Sequence, residues 1–288
     1  SRDFQGPMRL RPALARSRNL VTIRVLQTMG LDYTINFLEG FGFSPAQLPR
    51  GLSLALGSAS LTPMEMTNAY AVLANGGFQV SPWFIERVTR DDDNELIDEA
   101  TPQVACPSCA EDQETVEIDG REYPIAKRVA DPAAVYILRD MLRDVITSGT
   151  GRGALSLNRE DIVGKTGTTN SQRDAWFAGF NSNLVTTVWV GKDGTISEYG
   201  AQAALPIWVE FMGDALEGTP NAVPERPATV VTARVDPDSG QRLADGQSGG
   251  ITELFHQDHL PDYQQRRISR ELEEASGSEG SGTAESIF

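Results

Sequence analysis

An α+β fold, in which helices cover an antiparallel sheet, follows from three observations. Helical periodicity and helix caps fill much of the first half of the sequence. Three strand-like segments then come in close order between residues 162 and 190, and a further helical pattern follows them. Strands joined by so few residues cannot be parallel, because a parallel pair needs a crossover of about a dozen residues or more. Helices, then antiparallel strands, then a closing helix describe a layered α+β domain.

Residues 7–29 read as one helix, or two joined by a short break, with Met8, Leu10, Leu14, Leu20, Ile23, Val25 and Leu26 at roughly helical spacing. Ser17-Arg18-Asn19 interrupts this pattern as a turn between helices does. Residues 31–41 form another short helix ending near Gly40 and Gly42. Thr62-Pro63-Met64-Glu65 is a sharper signal, with a threonine cap, proline at the first helical position and a glutamate that closes a capping box. That helix stops at Asn75-Gly76-Gly77. Phe78 to Val88 is strand-like, residues 91–94 turn, and Glu95 to Ile97 return as a hairpin. Residues 99–127 are polar, acidic and irregular, as expected of a surface insertion.

Asp131-Pro132 starts a helix running to about Thr147, with Val135, Ile137, Leu138, Met141, Leu142 and Ile146 on its apolar face; residues 149–153 break it. The three strands are Ile162 to Thr168, Ala175 to Phe180 and Leu184 to Val190, the last two joined by an Asn181-Ser182-Asn183 turn. Ala203 to Leu216 is helical, with Trp208 and Phe211 on its apolar side. Val230 to Val235 is an edge strand closed by a Pro237-Asp238-Ser239-Gly240 turn. Residues 1–240 are expected to form the domain, with the polar, cysteine-containing insertion at about 96–128. Residues 241–288 are expected to be a largely disordered extension, the charged and Ser/Gly/Glu-rich part beyond about 264 above all.

A 40% hydrophobic content suits a substantial core. A net charge of −15 excludes an electrostatic grip on nucleic acid or anionic lipid. The two histidines, His256 and His259, lie together near the polar C-terminal end, so neither a Ser-His-Asp triad nor a zinc-histidine site is expected, and no metal or cofactor is called for. Of the 25 lysines and arginines only Lys127, Lys165 and Lys192 are lysines. That bias singles out Lys165, since lysine, unlike arginine, sheds its proton when its surroundings lower its pKa. Cys106 and Cys109 have no second CxxC or nearby histidine; a local disulfide in an exported protein or a pair of free thiols fits better than catalysis. There is no signal peptide and no spanning apolar run, and the sequence, starting Ser-Arg-Asp-Phe, reads as part of something longer.

Two short segments carry chemistry. Lys165-Thr166-Gly167-Thr168-Thr169 offers a positive charge, hydroxyls and backbone N–H groups along a strand edge, and Gly167 lets a ligand approach closely. An extended peptide can add to such an edge, with its terminal carboxylate on Lys165 and the hydroxyls and a backbone N–H facing a developing oxyanion. Ser17-Arg18-Asn19 supplies a hydroxyl able to relay a proton and an amide able to bind a substrate amide. Ser-x-x-Lys, a Ser-x-Asn-like triplet and Lys-Thr-Gly are the signatures of active-site serine penicillin-recognising enzymes. The second and third are present, but no serine in the sequence is followed three residues later by lysine.

The stretch from Gly6-Pro7-Met8-Arg9-Leu10 to Asn19 resembles the surroundings of the second motif in class A penicillin-binding proteins. Leu56-Gly57 to Asn75-Gly76-Gly77, Lys165 to Asn170 running into Asp174-Ala175-Trp176-Phe177-Ala178-Gly179-Phe180, and Ala204-Leu205-Pro206-Ile207-Trp208 resemble later stretches of that family in the same order. The insertion with Cys106-Pro107-Ser108-Cys109 looks like the 1A subgroup. The resemblance covers roughly residues 5–240.

It implies the penicillin-recognising fold, N-terminally truncated, and a D,D-transpeptidase that crosslinks peptidoglycan stem peptides by serine acyl transfer at D-Ala-D-Ala, with β-lactams as inhibitors. By position Ser17 is implied as proton relay and Asn19 as substrate amide contact. Lys165 is the electrostatic partner, Thr166 and Thr168 bind the carboxylate, and the Thr168 N–H joins the oxyanion hole. Full-length members also carry a membrane helix and a glycosyltransferase domain, and act at the periplasmic face of the inner membrane. In the family the nucleophile motif precedes the second motif by several dozen residues, so this sequence is expected to be truncated, inactive alone and poorly folded. The extra length and the cysteine insertion disfavour a β-lactamase. A D,D-carboxypeptidase and a non-catalytic peptide-binding or scaffold module remain alternatives.

Overall fold

The computed structural model describes residues 6–110, 112–169, 173–192, 200–244 and 246–263. It divides into two units, residues 1–231 and 232–288.

In the first unit α1 (Leu10–Ala15) and α2 (Asn19–Met29) are separate helices, broken where the polar triplet predicts, and α3 (Leu31–Glu39) follows at once. In α4 (Pro63–Ala74) the capping box forms: the Glu65 N–H donates to Thr62 Oγ1 at 3.2 Å and the Thr62 N–H to Glu65 Oε2 at 2.7 Å. The expected strand over 78–88 is reduced to β1 (Phe78–Gln79) and β2 (Arg87–Thr89). Pro82 between them has no N–H for a ladder, and Trp83, Phe84 and Ile85 are exposed. β2 pairs with β3 (Leu96–Glu99) as the hairpin predicted there.

The insertion is more regular than the sequence reading holds. β4 (Thr115–Ile118) and β5 (Arg121–Pro124) form an antiparallel hairpin turned by Asp119-Gly120, with φ of +53° and +78°. Asp-Gly with two positive φ values is a favoured two-residue hairpin turn, and the polarity of the flanking residues masks it. β6 (Lys127–Arg128) closes the insertion by pairing with β1. Cys106 and Cys109 are joined by a disulfide.

α5 (Pro132–Thr147) is capped by Asp131, which accepts from the Ala134 N–H at 2.8 Å. β7 (Val163–Thr168), β8 (Asp174–Phe180) and β9 (Val185–Gly191) form the central antiparallel sheet in sequence order. α6 (Ala204–Ala215) lies on one face, where Trp208 meets the Phe177 ring edge-on at a centroid distance of 4.8 Å, among Ala175, Leu205 and Met212. Leu142 and Val145 of α5 pack on Val163 and Phe180 from the other face, with Tyr70 of α4 beside them. Phe211, expected on the apolar side of α6, is half-exposed; the buried face is Leu205, Trp208 and Met212, whose 3- and 4-residue spacing defines one stripe. Arg139 is buried on the apolar face of α5 and donates to the Asp161 carbonyl at 2.7 Å.

In the second unit β10 (Val230–Val235), which crosses the division, pairs with β11 (Ile251–His256). The extension after residue 240 therefore contains a strand where little order is expected, formed by the apolar positions Ile251, Leu254 and Phe255. The tail from 264 onward lies outside the described residues.

Candidate active site

Ser17 owes its position to how α1 ends. The Arg18 N–H donates to Ala13 O at 2.9 Å and the Ser17 N–H to Leu14 O at 3.1 Å, the paired bonds of a Schellman motif, with Ser17 in the left-handed position at φ +54°. Glycine is the usual occupant there, and a serine costs about 1–2 kcal/mol of backbone strain. Gly149, in the break after α5, holds this turn from behind: a Cβ on it would stand 2.2 Å from the Ala15 carbonyl oxygen.

The two motifs meet. Lys165 Nζ donates to Ser17 Oγ at 2.8 Å and to the Thr166 carbonyl at 2.9 Å, joining residues 148 positions apart. Burial lowers the Lys165 pKa to about 8. An ammonium donating to Ser17 Oγ occupies a lone pair of that oxygen and leaves the serine proton available for transfer. Asn19 begins α2 and is exposed; among the described residues no side-chain hydrogen bond engages it.

Along β7 the Thr169 N–H donates to Asp174 O at 3.0 Å, so strand alternation turns the N–H groups of Thr168 and Thr166 toward the edge away from β8. β7 is the outer strand of the sheet among the described residues, so this edge is where an extended ligand can add. Gly167 sits opposite Trp176, whose Cβ would lie 3.0 Å from a Cβ at 167. Thr168 Oγ1 accepts from the Gly200 N–H at 3.0 Å. Asp174 fixes the far end, accepting from Thr169 Oγ1 and from Trp189 Nε1, each at 3.0 Å. Asn170, part of the resemblance, lies outside the described residues.

Two features escaped the sequence. Thr150 Oγ1 lies 2.6 Å from Thr166 Oγ1; the only signal was a threonine between two glycines, read as a helix break. Asp161, which opens the apolar run before the motif, is 1% exposed. Its carboxylate accepts from Arg159 at 2.8 and 2.9 Å, from Asn181 at 3.0 Å and from the Ala222 N–H at 3.1 Å. Burial pushes the Asp161 carboxyl up, yet these bonds and the Arg159 charge hold it below the usual carboxylate range. Among the described residues no cluster of three or more His, Cys, Asp or Glu side chains could hold a metal, and no helix is long and apolar enough to cross a membrane.

A helix-covered antiparallel sheet whose edge carries Lys-Thr-Gly, bonded to a serine at a helix break, defines a penicillin-recognising α+β domain. Residues 2–212 match the penicillin binding protein transpeptidase domain, and the chain belongs to that family. It is 42% identical to penicillin-binding protein 1A of Pseudomonas aeruginosa over 90% of this chain and 35% of that protein. With penicillin-binding protein 1A of Escherichia coli the identity is 35%, over 85% of this chain and 36% of that protein. The crystal structure of penicillin-binding protein 1A from Haemophilus influenzae superposes with a TM-score of 0.81 at 36% identity, covering 91% of this chain and 42% of that one. The chain thus spans about a third of the length of these curated relatives.

Proposed function

We propose that this chain is the substrate-holding part of a serine D,D-transpeptidase that crosslinks peptidoglycan stem peptides, with residues 1–240 as the domain that does so. The observation that carries the reading is the 2.8 Å bond from Lys165 to Ser17, which assembles two of the three signatures of the enzyme class around one proton.

A donor stem ending in D-Ala-D-Ala lies along the open edge of β7. Its carboxylate meets Lys165, Thr166 and Thr168, its amide meets Asn19, and its scissile carbonyl oxygen meets the Thr168 N–H. The nucleophile is a Ser-x-x-Lys serine supplied by a preceding segment of the same protein. Its oxygen bonds to the penultimate D-Ala carbonyl carbon, and the C–N bond to the terminal D-Ala breaks. Ser17 relays the proton given up by the attacking serine hydroxyl to that leaving amine. An amine of a neighbouring stem then attacks the acyl-enzyme, forming the crosslink and freeing the serine. β-Lactams occupy the same edge and trap the serine. Similarity to the 1A proteins supports a parent with a glycosyltransferase domain and a membrane helix, working at the periplasmic face of a bacterial inner membrane.

The test has two arms. The coding region upstream of Ser1 encodes a Ser-x-x-Lys, and the full-length protein is labelled covalently by a fluorescent penicillin. Absence of both defeats the reading. Product analysis with a pentapeptide donor and an amine acceptor distinguishes crosslinking from carboxypeptidase hydrolysis.

A further inference from the structure

We propose that Thr150 is a positioning residue of this site, aiming the proton of the Thr166 hydroxyl at the carboxylate of a bound ligand. The proposal deepens the transpeptidase reading and rests on it.

Thr150 touches both halves of the site without belonging to either motif. Its N–H donates to the carbonyl of Ala15 at 3.2 Å, the last residue of α1 and two before Ser17. Its Oγ1 meets Thr166 Oγ1 at 2.6 Å, and both residues are half-buried. Gly149, against the Ala15 carbonyl, and Gly151, whose N–H donates to Val145 O at 2.8 Å, hold the backbone on either side. The Thr150 hydroxyl is therefore presented to Thr166 by a braced loop rather than by a free surface side chain.

Each hydroxyl has one proton and two lone pairs. If Thr166 donates to Thr150, Thr166 turns only lone pairs outward and repels an anion. If Thr150 donates to Thr166, the Thr166 proton is free and the two bonds reinforce each other in a chain. A carboxylate is acceptor-only, so a bound one selects the second arrangement. Thr168, on the same face of β7, is prepared in the same sense: the Gly200 N–H occupies one of its lone pairs at 3.0 Å, leaving its proton to donate. Both threonines of the motif are thereby set as donors, one by a backbone N–H and one by Thr150.

The test measures acylation of the full-length protein by benzylpenicillin and by its methyl ester, which keeps the β-lactam but removes the carboxylate charge. Loss of one such hydrogen bond predicts that Thr150→Val lowers the acid-to-ester rate ratio by about five- to tenfold, with the ester rate held. Thr150→Ser, which keeps the hydroxyl, restores most of the ratio. Equal slowing of both probes, or an unchanged ratio, overturns the proposal and leaves Thr150 a packing residue. If Thr150→Val does not fold, the same ratio is read on Thr150→Ala. If neither folds, the hydroxyl serves folding and the proposal falls. A wild-type protein that neither probe labels overturns the transpeptidase reading itself, whereas a labelled protein with an insensitive ratio overturns only the role of Thr150.

Discussion

Ser17 pairs its proposed proton-relay role with an unfavourable backbone. Its left-handed φ would suit glycine, yet its hydroxyl accepts from Lys165; strain of this kind concentrates at functional positions. Comparing two variants that both lack the hydroxyl isolates the strain. Ser17→Gly is expected to be more stable than Ser17→Ala by about 1 kcal/mol, read as a higher melting temperature, while neither supports acyl transfer. Equal melting temperatures would show that the turn is unstrained. Lys165 gives a second residue-level test. Its folded pKa of about 8 lies below its ordinary value of 10.5, so between these limits the unfolded chain binds more protons than the folded one. Stability therefore rises as pH rises through this window. Affinity for an anionic peptide runs the other way and falls as pH passes about 8, because the ammonium that attracts the carboxylate is lost. Lys165→Gln removes both dependences; if stability and affinity move with the same sign, burial of Lys165 is not their source.

Much of each element was legible in the sequence, and the misses have physical causes. Thr62-Pro63-Met64-Glu65 and Asp131-Pro132 announce helices through bonds local in sequence, and both caps form. The three strands of the central sheet fall within a residue or so of their expected ends, the last two bounded by the Asn181-Ser182-Asn183 turn. The Asp119-Gly120 hairpin is masked by the polarity of its flanking residues, and Thr150 and Asp161 meet partners that are distant in sequence. Asp161 shows what such a residue does. It ties the start of β7 to Asn181 in the β8–β9 turn and to Ala222 after α6, with Arg159 as counter-charge, and so fixes the strand that carries the motif. Asp161→Asn leaves Arg159 half-paired beside a buried amide and should destabilise by about 3 kcal/mol, measured by urea unfolding. A loss near zero would show that the network is dispensable. Gly149→Ala probes the other support: its Cβ would stand 2.2 Å from Ala15 O and 2.8 Å from Val145 Cα, atoms of backbone that cannot swing aside. A cost of about 2 kcal/mol or more is expected, together with weaker penicillin labelling of the full-length protein, because the displaced segment carries Ser17. Unchanged labelling would detach the turn from Gly149.

Stability within the first unit should be distributed unevenly, and the site depends on that. β8 is enclosed between β7 and β9 and buried on both faces by Trp208 and Met212 on one side and Leu142 and Val145 on the other. The β2–β3 hairpin is exposed almost throughout and β4–β5 is little better covered. Local opening costs least where few apolar groups are buried. A substrate edge of the kind proposed for β7 must hold hydroxyls and N–H groups within fractions of an ångström and needs the rigid part of the molecule behind it; β7 is bonded to β8 on one side, with its other side the proposed ligand edge. Native-state hydrogen exchange should therefore find amides of Phe177, Ala178 and Phe180 protected about a hundredfold or more beyond those of Val88, Ile97 and Val116. The outward N–H groups of Thr166 and Thr168 should exchange fast until a peptide ligand binds, then slow selectively. Uniform protection across the unit would mean that the hairpins and the sheet open together. Slow exchange at Thr168 without ligand would mean that the edge is already paired, and no added strand could dock there.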